Sequence, residues 1–600
     1  MRKRLFLLGV IVMVCISNAH ASDNINFTIE TANPTPEIKD GTAKIIWGRS
    51  HAGSDNSQYT IKWSKQETTL GSIESSGLEE GKEYSVLISD GSGNEQQAVF
   101  TIPALSGQEK VNAIFTPFVD AVSLVLFSDP FAALGMYDPR IQDEHGKFVL
   151  HPNGDYKTIS MPLVVVWLIL GAIFFTFRMG FINLRGFKHA IQLARGKFDN
   201  PEDKGEVSHF QALATALSGT VGMGNIAGVA TAMAVGGPGA TFWMIVAGLL
   251  GMSSKFVECT LGVKYRNINE KGEVSGGPMY YLSKGLAIRG MGKFGKVLAF
   301  TFAILCVGGS IGGGNMYQAN QTFSQLSSVI PALSNHSIAV GIGLALMTGL
   351  VIIGGIKSIA NVTDKIVPLM ILLYVGSALL IIGMNYNFIG QAFADIFNGA
   401  FNSDAAKGGF LGVMIMGFRR AAFSNEAGVG SASIAHSASK TNKPISEGIV
   451  SLLEPFIDTV VICTMTALVL IFTGYAQNPQ GLDGVALTTA AFKSQFSWFD
   501  IVLTIAIFLF AFSTMISWSY YGMKSWAYLV GETPRAQMIY KVIFLLCTIV
   551  GTSSGKGAVM DFSDMMILGM AFPNVIGLLI MSGEVKRDLK AYWIDLRAKV

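Results

Sequence analysis

Residues 207–243, VSHFQALATALSGTVGMGNIAGVATAMAVGGPGATFW, are apolar and long enough to cross a bilayer, yet Gly219, Gly222 and Gly224 interrupt them at the middle. A plain anchor needs about 20 regular apolar residues. Three glycines within six positions predict instead two half-helices with a break between them. A backbone N–H or C=O left bare in an apolar medium costs roughly 2–7 kcal/mol, so lipid cannot line such a gap and something polar must. Where membrane carriers use broken helices, the positive half-helix ends face an anionic solute and the freed carbonyls hold a cation. Asn225 has the side chain of an N-cap for the second half-helix. The plainer alternative is that the glycines only let helices approach closely.

Outward from this stretch, the chain has the composition of a polytopic membrane protein: 600 residues, 14% charged, 67 glycines and a mean hydropathy of +0.44. Its net charge of +3 points to no nucleic-acid partner. Residues 1–21 carry a basic start, an apolar run and a small-x-small site at Ala19-His20-Ala21, as a cleaved signal peptide does, with an uncleaved anchor as the alternative. Residues 24–103 turn polar with short alternating runs such as QYTIKWS and EYSVLIS, predicting a small exported β-sandwich. Residues 104–160 form a connecting segment in which FTPFVDAVSLVLF has the pattern of an interfacial amphipathic helix. Cys259, Cys306, Cys463 and Cys547 lie in apolar stretches without metal-ligand spacing, as packing residues do.

Eleven hydrophobic spans follow, at 161–179, 207–233, 238–263, 295–323, 337–355, 362–385, 407–436, 446–474, 499–527, 535–553 and 560–582. Loops 178–206 and 264–296 carry six and seven Lys/Arg, while 324–336 and 386–406 carry none. By the positive-inside rule the former are cytoplasmic, the sandwich is outside and the basic tail 584–600 is inside. The seventh span is also broken: its outer part is expected to end near Phe418, with a fresh helix start at Ser424-Asn425-Glu426. The two breaks stand five spans apart. Five is odd, so the two units have opposite membrane orientation, which is a five-plus-five inverted repeat with the first span outside it.

Three motifs carry a family resemblance: GTVGMGNIAGVATAMAVGGPGATFW at 219–243, RRAAFSNEAGVGSASIAH at 419–436 and LLEPFIDTVVICTMTALV at 452–469. Together they resemble the alanine or glycine:cation symporters, the sodium:alanine symporter family, over about residues 160–585. The exported segment resembles a fibronectin type III domain, with Tyr84 placed like that family's corner tyrosine. The symporter resemblance implies a LeuT-type fold of 11 transmembrane helices over 161–583 in an inner membrane, sodium ion as coupling ion, and uptake of a small neutral amino acid, alanine or glycine. It implies no enzyme. Proton coupling, another substrate such as glutamine, or a sensor whose exported domain binds a protein or ligand partner are the alternatives. The oligomeric state is not legible.

Carried over position by position, the resemblance implies a substrate site at Met223, Gly224, Gln318, Phe423 and Trp518. The carboxylate would lie on the N–H groups of Met223 and Gly224. One cation would sit at Thr220 and Asn225, and a second at Ser218, Val221, Phe510, Ser513 and Thr514. Two positions depart from the family: Met223 stands where Thr is usual, placing a bulky apolar group beside the pocket, and Ser433 stands where Pro is usual. Ser513 and Thr514 have a simpler reading as hydroxyls bonded to their own helix, and Trp518 as a packing aromatic. Charges within spans need partners. Arg419 and Arg420 are expected to brace Glu426, Glu454 and Asp458, and Lys255 to pair with Glu258, while Glu454 or Asp458 as a proton relay is the rival idea.

Overall fold

The computed structural model describes residues 160–598 except 201, 402–408, 483 and 555, together with 27–32, 41–47, 60–64, 69–70, 74–79, 82–89, 95–101, 126–135, 138–140, 147–148, 156 and 158. The signal peptide and nearly all of the expected amphipathic connection lie outside the described residues. The chain divides into two compact units, 1–118 and 119–600.

In the first unit, strands β1 (Phe27–Ala32), β2 (Gly41–Trp47), β3 (Thr60–Trp63), β4 (Thr69–Leu70), β5 (Glu74–Leu78), β6 (Glu83–Ser89) and β7 (Glu95–Thr101) form two antiparallel sheets, β1-β2-β5 and β4-β3-β6-β7. Alternation puts Ile61 and Trp63 of β3 inward with Val86 and Ile88 of β6, and they share one core with Ala43, Ile45 and Leu78 of the other sheet. The Tyr84 hydroxyl accepts from the Glu79 backbone N–H at 2.8 Å, tying the entry of β6 to the end of β5. β4 and β5 were not read from the sequence, because TL and ESSGL carry no apolar alternation.

The second unit is helical. Its principal helices among the described residues include α1 (Leu163–Arg178), α2 (His209–Thr220), α3 (Val229–Gly236), α4 (Gly239–Lys264), α5 (Gly292–Ile311), α6 (Tyr317–Val329), α7 (Ser337–Ile352) and α8 (Gly355–Met384). They continue with α9 (Gly409–Asn425), α10 (Ala432–His436), α11 (Pro444–Val450), α12 (Thr464–Phe472), α13 (Phe499–Val530), α14 (Pro534–Ser553), α15 (Lys556–Gly569) and α16 (Ala571–Ala598). Seven helical stretches among the described residues are long and apolar enough to span a membrane, up to eight with the bent α2–α3 pair, and α1 and α7 are shorter apolar helices. Large apolar side chains point outward, Leu350 at 80% and Leu372 at 70% exposed. In water such a surface would aggregate; in lipid it is the ordinary outside of a bundle.

Two long helices organise the interior. α4 packs against α1, α9, α10 and α11, and α13 packs against α2, α5, α6, α8 and α14. Small residues permit the closest approaches: a Cβ at Gly448 of α11 would run into the Thr260 hydroxyl of α4.

The first break is where the sequence places it. α2 opens with a capping box, Ser208 with Gln211, and ends at Thr220. Val221 is extended at φ −73°, ψ 92°, and after a π turn over Gly224–Gly228 the chain continues as α3, bent by 52° from α2. Asn225 does not cap α3. Its side-chain oxygen instead reaches back over the gap to accept from the Gly222 N–H at 2.9 Å.

The second break differs from expectation. α9 runs unbroken through Phe418 and Ser424 to Asn425, so Ser424-Asn425-Glu426 closes a helix rather than opening one. The chain then turns on three left-handed residues, Glu426 at φ 52°, Gly428 at 91° and Gly430 at 98°. Two of them are glycines, which take this conformation without steric cost. α10 starts at Ala432, and its Ser433, in the first turn where a proline also fits, bonds back to the Gly430 carbonyl at 2.7 Å.

Candidate functional site at the two breaks

The ends of the broken helices meet. Ser424, next to last in α9, lies against Gly224: a Cβ added to that glycine would be 3.4 Å from the Ser424 Cα. Asn225, fully buried, donates to Ser424 Oγ at 3.1 Å and to Asp458 Oδ1 at 2.7 Å. The other Asp458 oxygen accepts from Ser424 Oγ and Thr459 Oγ1, each at 2.7 Å. Asp458 therefore places a carboxylate where the two breaks touch. It lies in the π-helical stretch Phe456–Cys463 between α11 and α12.

Backbone oxygens freed by the break find side-chain donors, as the cost of bare carbonyls requires. Thr466 Oγ1 donates to Asn225 O at 3.0 Å and Thr488 Oγ1 to Ile226 O at 3.2 Å. On the α13 side, Thr514 Oγ1 lies 3.0 Å from Ser218 O and 2.9 Å from Phe510 O, and Trp518 Nε1 donates to Gly219 O at 3.1 Å. Ser513 Oγ lies 3.0 Å from the same Phe510 carbonyl. The hydroxyl of Ser218 bonds to Ser517 and to Thr215 O. Ser513 and Thr514 thus both bond back to the Phe510 carbonyl of their own helix, the simpler of the two readings, and Thr514 alone also bridges to the Ser218 carbonyl of α2. Thr220 ends α2 with its hydroxyl bonded back to the Ala216 and Leu217 carbonyls at 3.3 Å, and Val221 follows it; both are buried, at 5% and 0% exposure.

Gln318 enters from α6. Its Nε2 donates to the Gly313 carbonyl at 3.0 Å, while its buried Oε1 has no hydrogen-bond partner among the described residues. That oxygen lies 3.8 Å from where a Gly222 Cβ would stand, and Thr514 Oγ1 lies 2.9 Å from the same point. An orphaned buried acceptor is costly, and an ammonium group is a donor that would satisfy it. Met223 is fully buried at the break and Phe423 is half-buried on α9 beside Ser424. Trp518 packs onto the backbone at Gly314, where a Cβ would collide with its own Cβ. The indole is engaged with Gly219 and Gly314, a brace between α2, α13 and the turn before α6.

The charged residues pair differently from the sequence expectation. Arg419 Nη2 lies 3.9 Å from Asp564, not beside Glu426, Glu454 or Asp458. Glu426 accepts from the Ser431 hydroxyl. Lys255 turns to Glu454 at 2.9 Å rather than to Glu258, whose Oε1 accepts from Asn574 at 3.0 Å. The chain continues through His436, 3.6 Å from Glu454 and 2.5 Å from Glu447, to His209 at the start of α2, which also contacts Glu447. Every side chain in this His209–Glu447–His436–Glu454–Lys255 chain is at most 4% exposed. Arg419, 34% exposed, faces Asp564 instead. Sequence reading missed Ser424, Thr466 and Thr488 as partners of the break, since hydroxyls in apolar helices are usually bonded to their own backbone. The available signal for Asp458 was a lone carboxylate one turn from Glu454.

The sequence model of the sodium:alanine symporter family matches residues 150–599. The chain is 42% identical over 434 residues, 72% of its length and 94% of the relative's, to the sodium/alanine symporter AgcS of Methanococcus maripaludis. It is 34% identical over 433 residues, 72% of this chain and 87% of the relative, to the probable sodium/glutamine symporter GlnT of Bacillus subtilis. To the putative sodium/proton-dependent alanine carrier YrbD of the same organism it is 35% identical over 447 residues, 71% and 89% of the two chains. Among solved structures, MhsT in complex with L-phenylalanine aligns with a TM-score of 0.42 at 15% identity, covering 64% of this chain and 99% of that one.

Proposed function

Because the chain belongs to the sodium:alanine symporter family, we propose that it carries a small neutral amino acid, alanine or glycine, inward across the inner membrane on a sodium gradient. The supporting observation is the junction at Asn225, where one buried amide joins the first break to Ser424 at the second and to the carboxylate of Asp458. In this reading the substrate carboxylate lies on the Met223 and Gly224 N–H groups, its ammonium meets the free oxygen of Gln318, Phe423 closes over it and Trp518 borders it. One sodium sits at Thr220 and Asn225 with Asp458 as counter-charge. The second sits among Ser218, Val221, Phe510, Ser513 and Thr514. A gradient of 100 mV supplies about 2.3 kcal/mol per charge.

The same proposal holds that the helices form a LeuT-type five-plus-five inverted repeat of 11 spans, with α1 outside it and the C-terminus cytoplasmic. It places the sandwich outside as a fibronectin type III-like accessory domain, a reading supported by its sheet order and by the Tyr84 bond to Glu79. Labelled alanine uptake into proteoliposomes tests it: uptake should rise with an inward sodium gradient and be competed by glycine. Equal uptake with and without sodium would remove the coupling. Competition by glutamine alone would move the substrate to the larger amide.

A second reading, proton coupling, is favoured by the buried histidine–carboxylate chain. Glu447 and Glu454 bring two negative charges to one lysine, and a proton on either histidine balances the set. It requires uptake driven by a proton gradient in sodium-free buffer and lost in His436→Gln.

A further inference from the structure

A concavity of about 520 Å³ opens where the C-terminal end of α1 meets α16. Five cationic side chains line it: Arg178, Arg289, Lys586, Arg587 and Lys590. Its one carboxylate, Glu584, is already held by Lys264 at 2.5 Å, by Arg289 and by the Tyr265 hydroxyl at 3.0 Å. Arg178, Lys586, Arg587 and Lys590 pair with no carboxylate among the described residues.

The arrangement is built by two helices. Gly583, Lys586, Arg587 and Lys590 stand at i, i+3, i+4 and i+7 on α16 and so share one face. Gly583 leaves the floor of the concavity open: a Cβ there would lie 3.5 Å from Arg178 Nη2, which reaches over from α1. Arg289 forms the opposite wall, fixed by the Gly285 carbonyl at 2.6 Å. Ile580, one turn earlier on the same α16 face, is 36% exposed. On α1, Leu170 at 57%, Ile173 at 37%, Phe174 at 40% and Phe177 at 66% exposure form an apolar stripe that ends one residue before Arg178. An unpaired cationic pocket thus adjoins an outward apolar track.

We propose that this pocket binds the phosphate headgroup of an anionic phospholipid, whose acyl chains lie along the α1 stripe. Scattered loop lysines would serve orientation equally well; what sets Arg178, Lys586, Arg587 and Lys590 apart is convergence on one concavity whose single lining carboxylate, Glu584, is already taken by Lys264 and Arg289. Arginine forks match phosphate oxygens bidentately, and basic pockets between membrane helices are the usual place for such headgroups. The proposal is independent of which solute the protein carries.

The test uses the full chain purified in neutral detergent, melted with added phosphatidylglycerol, phosphatidylcholine or inorganic phosphate. Phosphatidylglycerol should raise the melting temperature by several degrees, and the other two should not. The variant R178Q/K586Q/R587Q/K590Q should lose that shift, its affinity falling roughly 10²- to 10³-fold. The control K188Q/K271Q/K293Q/K296Q removes as many exposed charges outside the concavity and should keep it. Equal loss in both variants would mean diffuse attraction, and a shift reproduced by inorganic phosphate would mean a free-anion site; either overturns the proposal. Native mass spectra of the unmutated chain provide a readout independent of the variant's folding: retained phosphatidylglycerol from an equimolar lipid mixture supports the site, and equal retention of phosphatidylcholine overturns it.

Discussion

Asn225 and Lys255 show what single buried polar groups do here. Asn225 satisfies the Gly222 N–H on one side and reaches Ser424 and Asp458 on the other. Asn225→Ala strands the Gly222 N–H and takes the amide donor from Asp458 Oδ1, while Ser424 keeps its bond to the other Asp458 oxygen, at about 1–3 kcal/mol for each buried group stranded. Sodium-dependent uptake is expected to fall below detection and the sodium-induced rise in melting temperature to vanish, both measurable on purified protein. Lys255→Met strands the buried Glu454 carboxylate and should destabilise by about 3–5 kcal/mol, seen as a lower melting temperature, whereas Lys255→Met with Glu454→Leu should recover most of it. At this scale the sequence indicated that buried charges must be paired, but not with whom. Lys255 and Glu258 are three residues apart and look like partners on one helix turn, yet the lysine's partner lies 199 residues away.

The breaks belong to the scale of elements. The first was legible because Gly219, Gly222 and Gly224 fall inside one apolar run, and the chain bends there by 52°. The second was legible as a break but not in its position. Ser424-Asn425-Glu426 has the composition of a helix start, and the rigid turn that actually ends α9 comes from left-handed Gly428 and Gly430 just after it. Gly428→Ala forces an L-residue into φ 91° with Leu168 against its Cβ. It should cost at least about 1–2 kcal/mol and shift the melting transition down without removing any side-chain ligand. Gly314→Ala makes a separate test of packing: its Cβ meets the Cβ of Trp518. Overpacking of about 1–3 kcal/mol is expected, together with a changed tryptophan fluorescence as the indole leaves the Gly219 carbonyl.

For the whole molecule, the two compact units each have a hydrophobic core of their own. Deleting residues 24–103 is therefore expected to leave amino-acid uptake in proteoliposomes within about twofold of the full chain, since no residue of the junction at the breaks lies in that segment. A loss of transport on deletion would favour the sensor reading. The sequence by itself determined the membrane character, the interrupted seventh span, the first break and five of the seven strands, because apolar periodicity and the cost of bare backbone act over a few neighbouring residues. Tertiary structure alone decided that Asn225 meets an aspartate 233 positions on, that Gln318 leaves an oxygen beside Gly222 without a partner among the described residues, and that Arg419 faces Asp564 rather than Glu426, Glu454 or Asp458. Such pairings depend on which helix faces pack together, and that is settled by the shapes of whole helices rather than by the residues adjacent in the chain.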